Sequence, residues 1–264
     1  MLVFLGRDKD EICGRAARLV AGAVQRKPNL TLGLATGSTM VGVYQQLVQL
    51  HKSGSLDFSR VTTFNLDEYL GLAPTHPQSF HRFMDDQLFS HVNIIRANIH
   101  IPDGTIRGAY DQYCAAYEET IRKAGGIDLQ LLGIGRNGHI GFNEPTSSIG
   151  SRTRLKVLSQ ETLNDNAKFF SPGEEAPQCA ITMGIGTILE TKRVLLIATG
   201  ESKAQAIAHS IEGPITSSVC ASALQLHPDV TFILDEAAAS KLNQKEYFRR
   251  VMKMTSLLTP DRLS

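Results

Sequence analysis

Short apolar runs alternate with amphipathic segments along most of the chain. The apolar runs are bounded by glycine or polar turns, which is typical of buried strands. We expect strands at 31–35, 61–66, 98–101, 127–132, 194–198 and 230–234. The intervening segments carry apolar residues at helical spacing or, near the end, a run of alanines with high helix propensity. We expect helices at 40–50, 80–88, 106–121, 202–212 and 236–242.

This alternation predicts an α/β fold, with an open, mainly parallel sheet and helices on both faces. Residues 143–192 are the least regular part of the pattern, and an insertion that caps a site would explain them. No linker rich in proline, glycine or serine divides the sequence. We therefore expect one α/β domain over residues 1–264.

Net charge and cysteine spacing limit which partners and which cellular location we expect for the chain. The formal net charge is +1 and no dense lysine or arginine stripe occurs, so we expect neither nucleic acid nor a membrane surface as partner. The apolar run Met1–Gly6 is too short for a secretion signal, and we expect a cytoplasmic protein. Four widely spaced cysteines argue against a disulfide framework, and we expect reduced thiols at Cys13, Cys114, Cys179 and Cys220.

The loops that follow strands are where an open α/β sheet binds its ligands. One such loop, Thr36–Thr39, joins a predicted strand to a predicted helix, where backbone N–H groups and hydroxyls suit a phosphate. A helix-capping role for Ser38 or Thr39 explains the same residues equally well. Lys203 begins another helix, where it either contacts an anion or is an exposed surface lysine.

Two adjacent carboxylates, Asp67 and Glu68, follow another strand. Neighbours at a strand end point apart, so we do not expect the two side chains to share a site. Either one can act as a general base in a partly dry cleft. A turn or capping role, however, fits the spacing better than catalysis does.

The glycine-rich run 133–145 contains a formal dinucleotide fingerprint, Gly-Ile-Gly-Arg-Asn-Gly. Its context argues against that function, because the third glycine opens no helix and the run stands in mid-chain. A catalytic loop that presents His139, with Glu144 five residues later to orient it, explains the run better. The histidine and cysteine spacings favour no metal site, and no G-x-S-x-G serine elbow occurs.

Four motifs resemble the glucosamine-6-phosphate deaminases. They occur in order along the chain as Leu34–Thr39, Phe64–Tyr69, Gly133–Pro145 and Ser151–Arg154, and the third is the most specific. The resemblance extends over roughly residues 1–240. It implies conversion of glucosamine 6-phosphate and water into fructose 6-phosphate and ammonia, with no organic cofactor and no metal.

The resemblance also implies a role for each site residue. Asp67 is the base that moves the C2 proton of the sugar. His139 assists opening of the pyranose ring, together with Asn137 and with Glu144, which aligns the imidazole. The residues that it assigns to the phosphate are Thr36, Gly37, Ser38, Thr39, Lys168 and Lys203.

Some positions depart from the pattern of that family. Many members have aspartate at the place of Asn137, so the ring-opening group carries one negative charge fewer here. Lys168 replaces an arginine, and thus a forked guanidinium, by a point charge. Arg154 and Lys156 match part of the activator site between subunits of some members, but Val157 replaces a hydroxyl residue. This weakens the expectation of activation and of a hexamer, and leaves a homo-oligomer open.

Two other functions fit parts of the pattern. A 6-phosphogluconolactonase-like hydrolase uses the same kind of scaffold but needs no base at C2. A non-catalytic sugar-phosphate sensor would carry a helix-turn-helix, whereas this sequence begins directly in the α/β pattern. The sequence does not distinguish glucosamine from galactosamine 6-phosphate.

Overall fold

A computed structural model describes residues 1–171 and 173–258 as two β-sheets surrounded by helices. The strands are β1 (Leu2–Gly6), β2 (Thr31–Leu34), β3 (Thr62–Asn65), β4 (Asp67–Tyr69), β5 (Ile99–His100), β6 (Leu129–Leu132), β7 (Arg154–Val157), β8 (Cys179–Thr182), β9 (Val194–Ala198) and β10 (Val230–Asp235). The helices are α1 (Lys9–Arg26), α2 (Ser38–Lys52), α3 (Phe80–Gln87), α4 (Tyr110–Lys123), α5 (Gln160–Ala167), α6 (Ile185–Leu189), α7 (Ala204–Ile211) and α8 (Lys245–Leu258). Within these residues, no helix is long and apolar enough to cross a bilayer.

The larger sheet is parallel throughout, in the order β1-β10-β9-β6-β2-β3-β5, which confirms the predicted α/β class. Every residue of β9 and β10 is buried, as expected of strands that are covered on both faces. The Tyr44 hydroxyl of α2 is fully buried and donates to the Ala35 carbonyl at 2.5 Å. This bond fixes α2 against the end of β2, directly before the loop that starts at Thr36.

The smaller sheet is antiparallel and has the order β4-β8-β7. Two of its strands come from residues 143–192, so this stretch is more regular than the sequence suggests. Pairing of β4 with β8 places Asp67 opposite Thr182, 115 positions later in the chain. No local pattern predicts such a pairing, because a three-residue strand is too short to show alternation.

Several elements differ from the predicted ones. Leu2–Gly6, to which the pattern assigns no strand, forms the edge strand β1 on β10. The helix expected from residue 106 begins at Tyr110, after Gly108 and Ala109, both of which have positive φ. The helix expected at 236–242 is wrong, because residues 236–241 form successive turns. So short an alanine-rich run does not sustain a helix by propensity alone.

Gly184, two residues after β8, packs closely against the backbone of Ser151. A methyl group added at Gly184 would lie 2.0 Å from the Ser151 carbonyl oxygen and 2.2 Å from its carbonyl carbon. Because backbone atoms cannot rotate away, Gly184→Ala should lower the free energy of unfolding by about 2–3 kcal/mol. Urea unfolding measures this loss. Gly150→Ala is the control, since its added methyl would lie 4.0 Å from the nearest atom, and equal losses would contradict the packing argument.

Candidate active site

The loop between β2 and α2 leaves the start of the helix open. Gly37 is the N-cap residue, and its φ of 111° favours glycine. No side chain of the described residues caps α2, so the capping alternative for Ser38 and Thr39 is wrong. A methyl group added at Gly37 would meet nothing within 4 Å. The Met40 N–H of this 15-residue helix bonds to the Gly37 carbonyl at 3.0 Å, whereas the N–H groups of Ser38 and Thr39 are available to an anion.

The loop after β9 lies beside this helix start. Thr199 Oγ1 is 3.5 Å from Thr39 Oγ1. The next residue, Gly200, has a φ of 86° and donates its N–H to the Asp235 carboxylate at 3.0 and 3.1 Å. Lys203 follows in a short 3-10 turn and is half-buried, so it is not a fully exposed surface lysine.

Both lysines expected at the phosphate belong to one cluster of charges. Burial lowers the pKa of Lys203, the charge of Asp165 opposes this, and Arg136 and Lys168 lower it further. These groups therefore lie within electrostatic range of Lys203. Lys168 is exposed at the end of α5, with its ammonium group 5.1 Å from the ring centre of Phe169.

Asp67 is buried where the two sheets meet. Its Oδ2 lies 3.5 Å from Thr182 Oγ1, and only 5% of the residue is exposed. Gly141 packs on the carboxyl group, so that an added methyl would lie 3.1 Å from Oδ2. Burial, followed by the charge of Glu68, raises the pKa of Asp67 to about 8. A carboxylate so poorly solvated is a strong base once it is ionised.

Glu68 points away from Asp67, as their adjacent positions predict. Its carboxylate accepts the N–H groups of Tyr69, Phe80 and His81 at 2.8–3.0 Å. Burial raises the pKa of Glu68 to about 7, although these backbone hydrogen bonds act in the opposite direction. The capping role considered for this pair therefore belongs to Glu68, which holds the start of α3.

The loop after β6 turns back on itself around Gly135. The Gly135 N–H donates to the His139 carbonyl at 2.9 Å, and the Gly138 N–H donates to the Gly135 carbonyl at 3.1 Å. A methyl group on Gly135 would lie 2.2 Å from His139 Cε1, so the imidazole occupies the space beside this glycine. Gly138 has a φ of 83°. Gly138 thus allows the backbone to turn, and Gly135 leaves room for the imidazole.

Asn137, His139 and Glu144 form one connected group. The Asn137 side-chain oxygen accepts the backbone N–H of His139 at 3.1 Å, and its amide nitrogen donates to Glu144 Oε2 at 3.2 Å. The same Oε2 is 3.6 Å from His139 Nδ1, an ion-pair distance. Burial raises the pKa of Glu144, but interactions with His139, Thr162 and Asn137 outweigh it and lower the pKa to about 2. Glu144 is thus ionised and faces the imidazole.

Two residues without a role in the sequence analysis hold this loop in place. The Asn143 amide donates to the Ile140 carbonyl at 2.9 Å and to the Met183 carbonyl at 2.8 Å. Thr182 Oγ1 accepts the Phe142 N–H at 3.1 Å. The bonds to Met183 and Thr182 join the loop to the end of β8 and the residue after it. They depend on how the strands pair, which the sequence alone does not reveal.

The raised pKa of Asp67 makes stability depend on pH. Between about pH 4 and about pH 8 the folded state keeps a proton that the unfolded chain has lost. The stabilising contribution is complete below this range and is lost as pH rises through about 8. Asp67→Asn should remove part of the decline in unfolding free energy, up to about 1.4 kcal/mol per pH unit. Urea unfolding across this range measures it, and parallel declines in both proteins would contradict the burial of a protonated Asp67.

Comparisons with known proteins place this chain in a family. Residues 8–232 match the family profile described as glucosamine-6-phosphate isomerases/6-phosphogluconolactonase. The chain is 54% identical over 258 residues to a Shewanella loihica protein named glucosamine-6-phosphate deaminase. That alignment covers 98% of this chain and 96% of its relative.

Solved structures agree with the sequence comparison. A structure described as a monomeric glucosamine-6-phosphate deaminase superposes with a TM-score of 0.88 and 44% identity, over 91% of this chain and 99% of the other. A 6-phosphogluconolactonase from Trypanosoma cruzi has a TM-score of 0.71 at 21% identity, over 92% and 97%, and shares the fold alone. The chain belongs to the family of glucosamine-6-phosphate isomerases and 6-phosphogluconolactonases.

Proposed function

We propose that this chain is a glucosamine-6-phosphate deaminase, which converts glucosamine 6-phosphate and water into fructose 6-phosphate and ammonia. The observation that carries the proposal is Asp67, a buried carboxyl group whose pKa is raised to about 8. It lies beneath the loop that presents His139 and Glu144. A relative that is 54% identical and bears the deaminase name supports the same reaction.

The substrate phosphate binds at the open start of α2. Backbone N–H groups and hydroxyls of Thr36–Thr39 meet its oxygens, and the helix dipole favours its negative charge. Lys203 and Lys168 supply positive charge from the neighbouring cluster. A phosphate held there keeps the reacting carbons at the other end of the sugar in register, an effect worth several kcal/mol in favourable cases.

His139 opens the pyranose ring. Opening requires a proton to leave the C1 hydroxyl and another to reach the ring oxygen, and an imidazole exchanges protons near neutral pH. Ionised Glu144 orients the imidazole from 3.6 Å. Asn137 accepts the backbone N–H of His139 and donates to Glu144 but is neutral, so Glu144 is the carboxylate of this group.

Asp67 then moves a proton on the open-chain sugar. It removes the proton from C2, and a proton is returned to C1 of the resulting enol-amine. The aldehyde thereby becomes an alcohol, and C2 becomes an imine. Water adds to this carbon, and the C–N bond breaks to release ammonia and leave the ketose. A poorly solvated carboxylate suits the first step, because the C2 proton is weakly acidic.

The lactonase and sensor alternatives have less support from the site. In hydrolysis of a lactone, water attacks C1 and no base is needed at C2. Asp67 would then have no function in the reaction. Likeness to lactonase structures extends to the fold alone. A cytoplasmic location accords with a sugar-phosphate substrate and is part of the proposal. Assembly into a homo-oligomer stays a prediction of the sequence.

Removal of the C2 base tests the reaction. Asp67→Asn keeps the size of the side chain, and ammonia release from glucosamine 6-phosphate should fall by about 1000-fold. Asp111→Asn, which changes an exposed carboxylate in the first turn of α4, should stay within about twofold of wild type. Wild-type protein that releases no ammonia would refute the function, and an Asp67→Asn variant at the wild-type rate would refute the role of Asp67.

The turn beneath the imidazole provides a second test. Gly135→Ala pushes the His139 ring away from Glu144, and kcat for ammonia release should fall by about 10- to 100-fold. The matched change Gly133→Ala places its methyl 4.0 Å from Met40 and should lose far less activity. Steady-state kinetics of both variants measure the difference. Equal kcat values would show that the position of His139 does not limit turnover.

A further inference from the structure

An ion pair joins the loop after β6 to α5. Arg136 Nη2 donates to Asp165 Oδ1 at 2.6 Å, and its Nε donates to Oδ2 at 3.2 Å. This is the two-pronged geometry by which a guanidinium grips a carboxylate. The two side chains are 49% and 42% exposed. A pair so open to water contributes little to stability, and another anion can displace the carboxylate at low cost.

The same pair lies in the charge cluster around Lys203. Two negative charges, Asp165 and Glu161, raise the pKa of Lys203, and two positive charges, Arg136 and Lys168, lower it. Lys203 and the charges that act on it comprise three cations and two carboxylates, for a formal net charge of +1. This cluster neighbours the start of α2, where the proposed function places the substrate phosphate. A phosphate presents two oxygens to a guanidinium as a carboxylate does, with a larger charge.

We propose that Arg136 is a further phosphate-binding residue, and that Asp165 holds its guanidinium until the substrate phosphate displaces it. The proposal rests on the proposed function for the identity of the ligand. Arg136, in the loop after β6, would supply the forked donor that Lys168 lacks. Since Asp165 lies on α5, the exchange also breaks an ion pair between α5 and the loop that carries His139.

Isothermal titration of the 264-residue chain with inorganic phosphate at low ionic strength tests the exchange. Arg136→Gln removes the fork and should weaken phosphate binding by about 10-fold or more. Asp165→Asn removes the competitor and should tighten binding by about 2- to 5-fold. Arg136→Lys keeps the charge without the fork and should give an intermediate affinity.

A matched control separates this role from loss of any surface arginine. Arg249 pairs with Glu236 at 2.6 Å, and these side chains are 43% and 45% exposed, close to the values of the Arg136 pair. Arg249→Gln should leave the phosphate affinity unchanged. Thermal unfolding of each variant, followed by circular dichroism, confirms that it is folded.

Two results would overturn the proposal. If Arg136→Gln and Asp165→Asn weaken phosphate binding equally, the pair only anchors α5. If Arg136→Gln binds phosphate as wild type does, the guanidinium is not a ligand. The titration measures binding and not turnover. If the variants show the predicted phosphate affinities but the wild-type protein releases no ammonia, the proposed function is refuted and the role of Arg136 in binding phosphate is retained.

Discussion

The contact between the loop after β6 and Asp67 connects the two sheets with the candidate site. Gly141 lies against the carboxyl group, the Phe142 N–H bonds to Thr182, and the Asn143 amide bonds to the Met183 carbonyl. This packing removes water from Asp67, and it fixes the path of the chain that leads from His139 to Glu144. One set of contacts thus determines both the basicity of the proposed C2 base and the position of the ring-opening group.

The two carboxylates of the site respond to their surroundings in opposite directions. Burial dominates at Asp67 and raises its pKa to about 8, since Thr182 offers the carboxyl group a long 3.5 Å contact. At Glu144, interactions with His139, Thr162 and Asn137 overcome burial and lower the pKa to about 2. Environments that separate the pKa values of two acids allow one to exchange a proton while the other stays charged.

Local patterns predicted six of the seven strands of the larger sheet, but not the contacts that cross it. Strand β9 is an uninterrupted apolar run and β10 is mostly apolar. Their loops could be located from sequence because parallel strands end at one edge. The pairing of Asp67 with Thr182 joins segments far apart in the chain, so spacing alone left Asp67 open to a capping role. Resemblance to a family supplied its proposed function. The pair between Arg136 and Asp165 depends on where α5 packs, which no periodicity indicates.

The central claim is that Asp67 removes the C2 proton. Glucosamine 6-phosphate that carries deuterium at C2 tests it most directly, when NMR follows the label in the recovered sugar phosphate. Wild type should lose the label from C2 as ammonia forms, whereas Asp67→Asn should bind the sugar and leave the label in place. Loss of the label at the wild-type rate in Asp67→Asn would contradict the account and assign the proton transfer to another group.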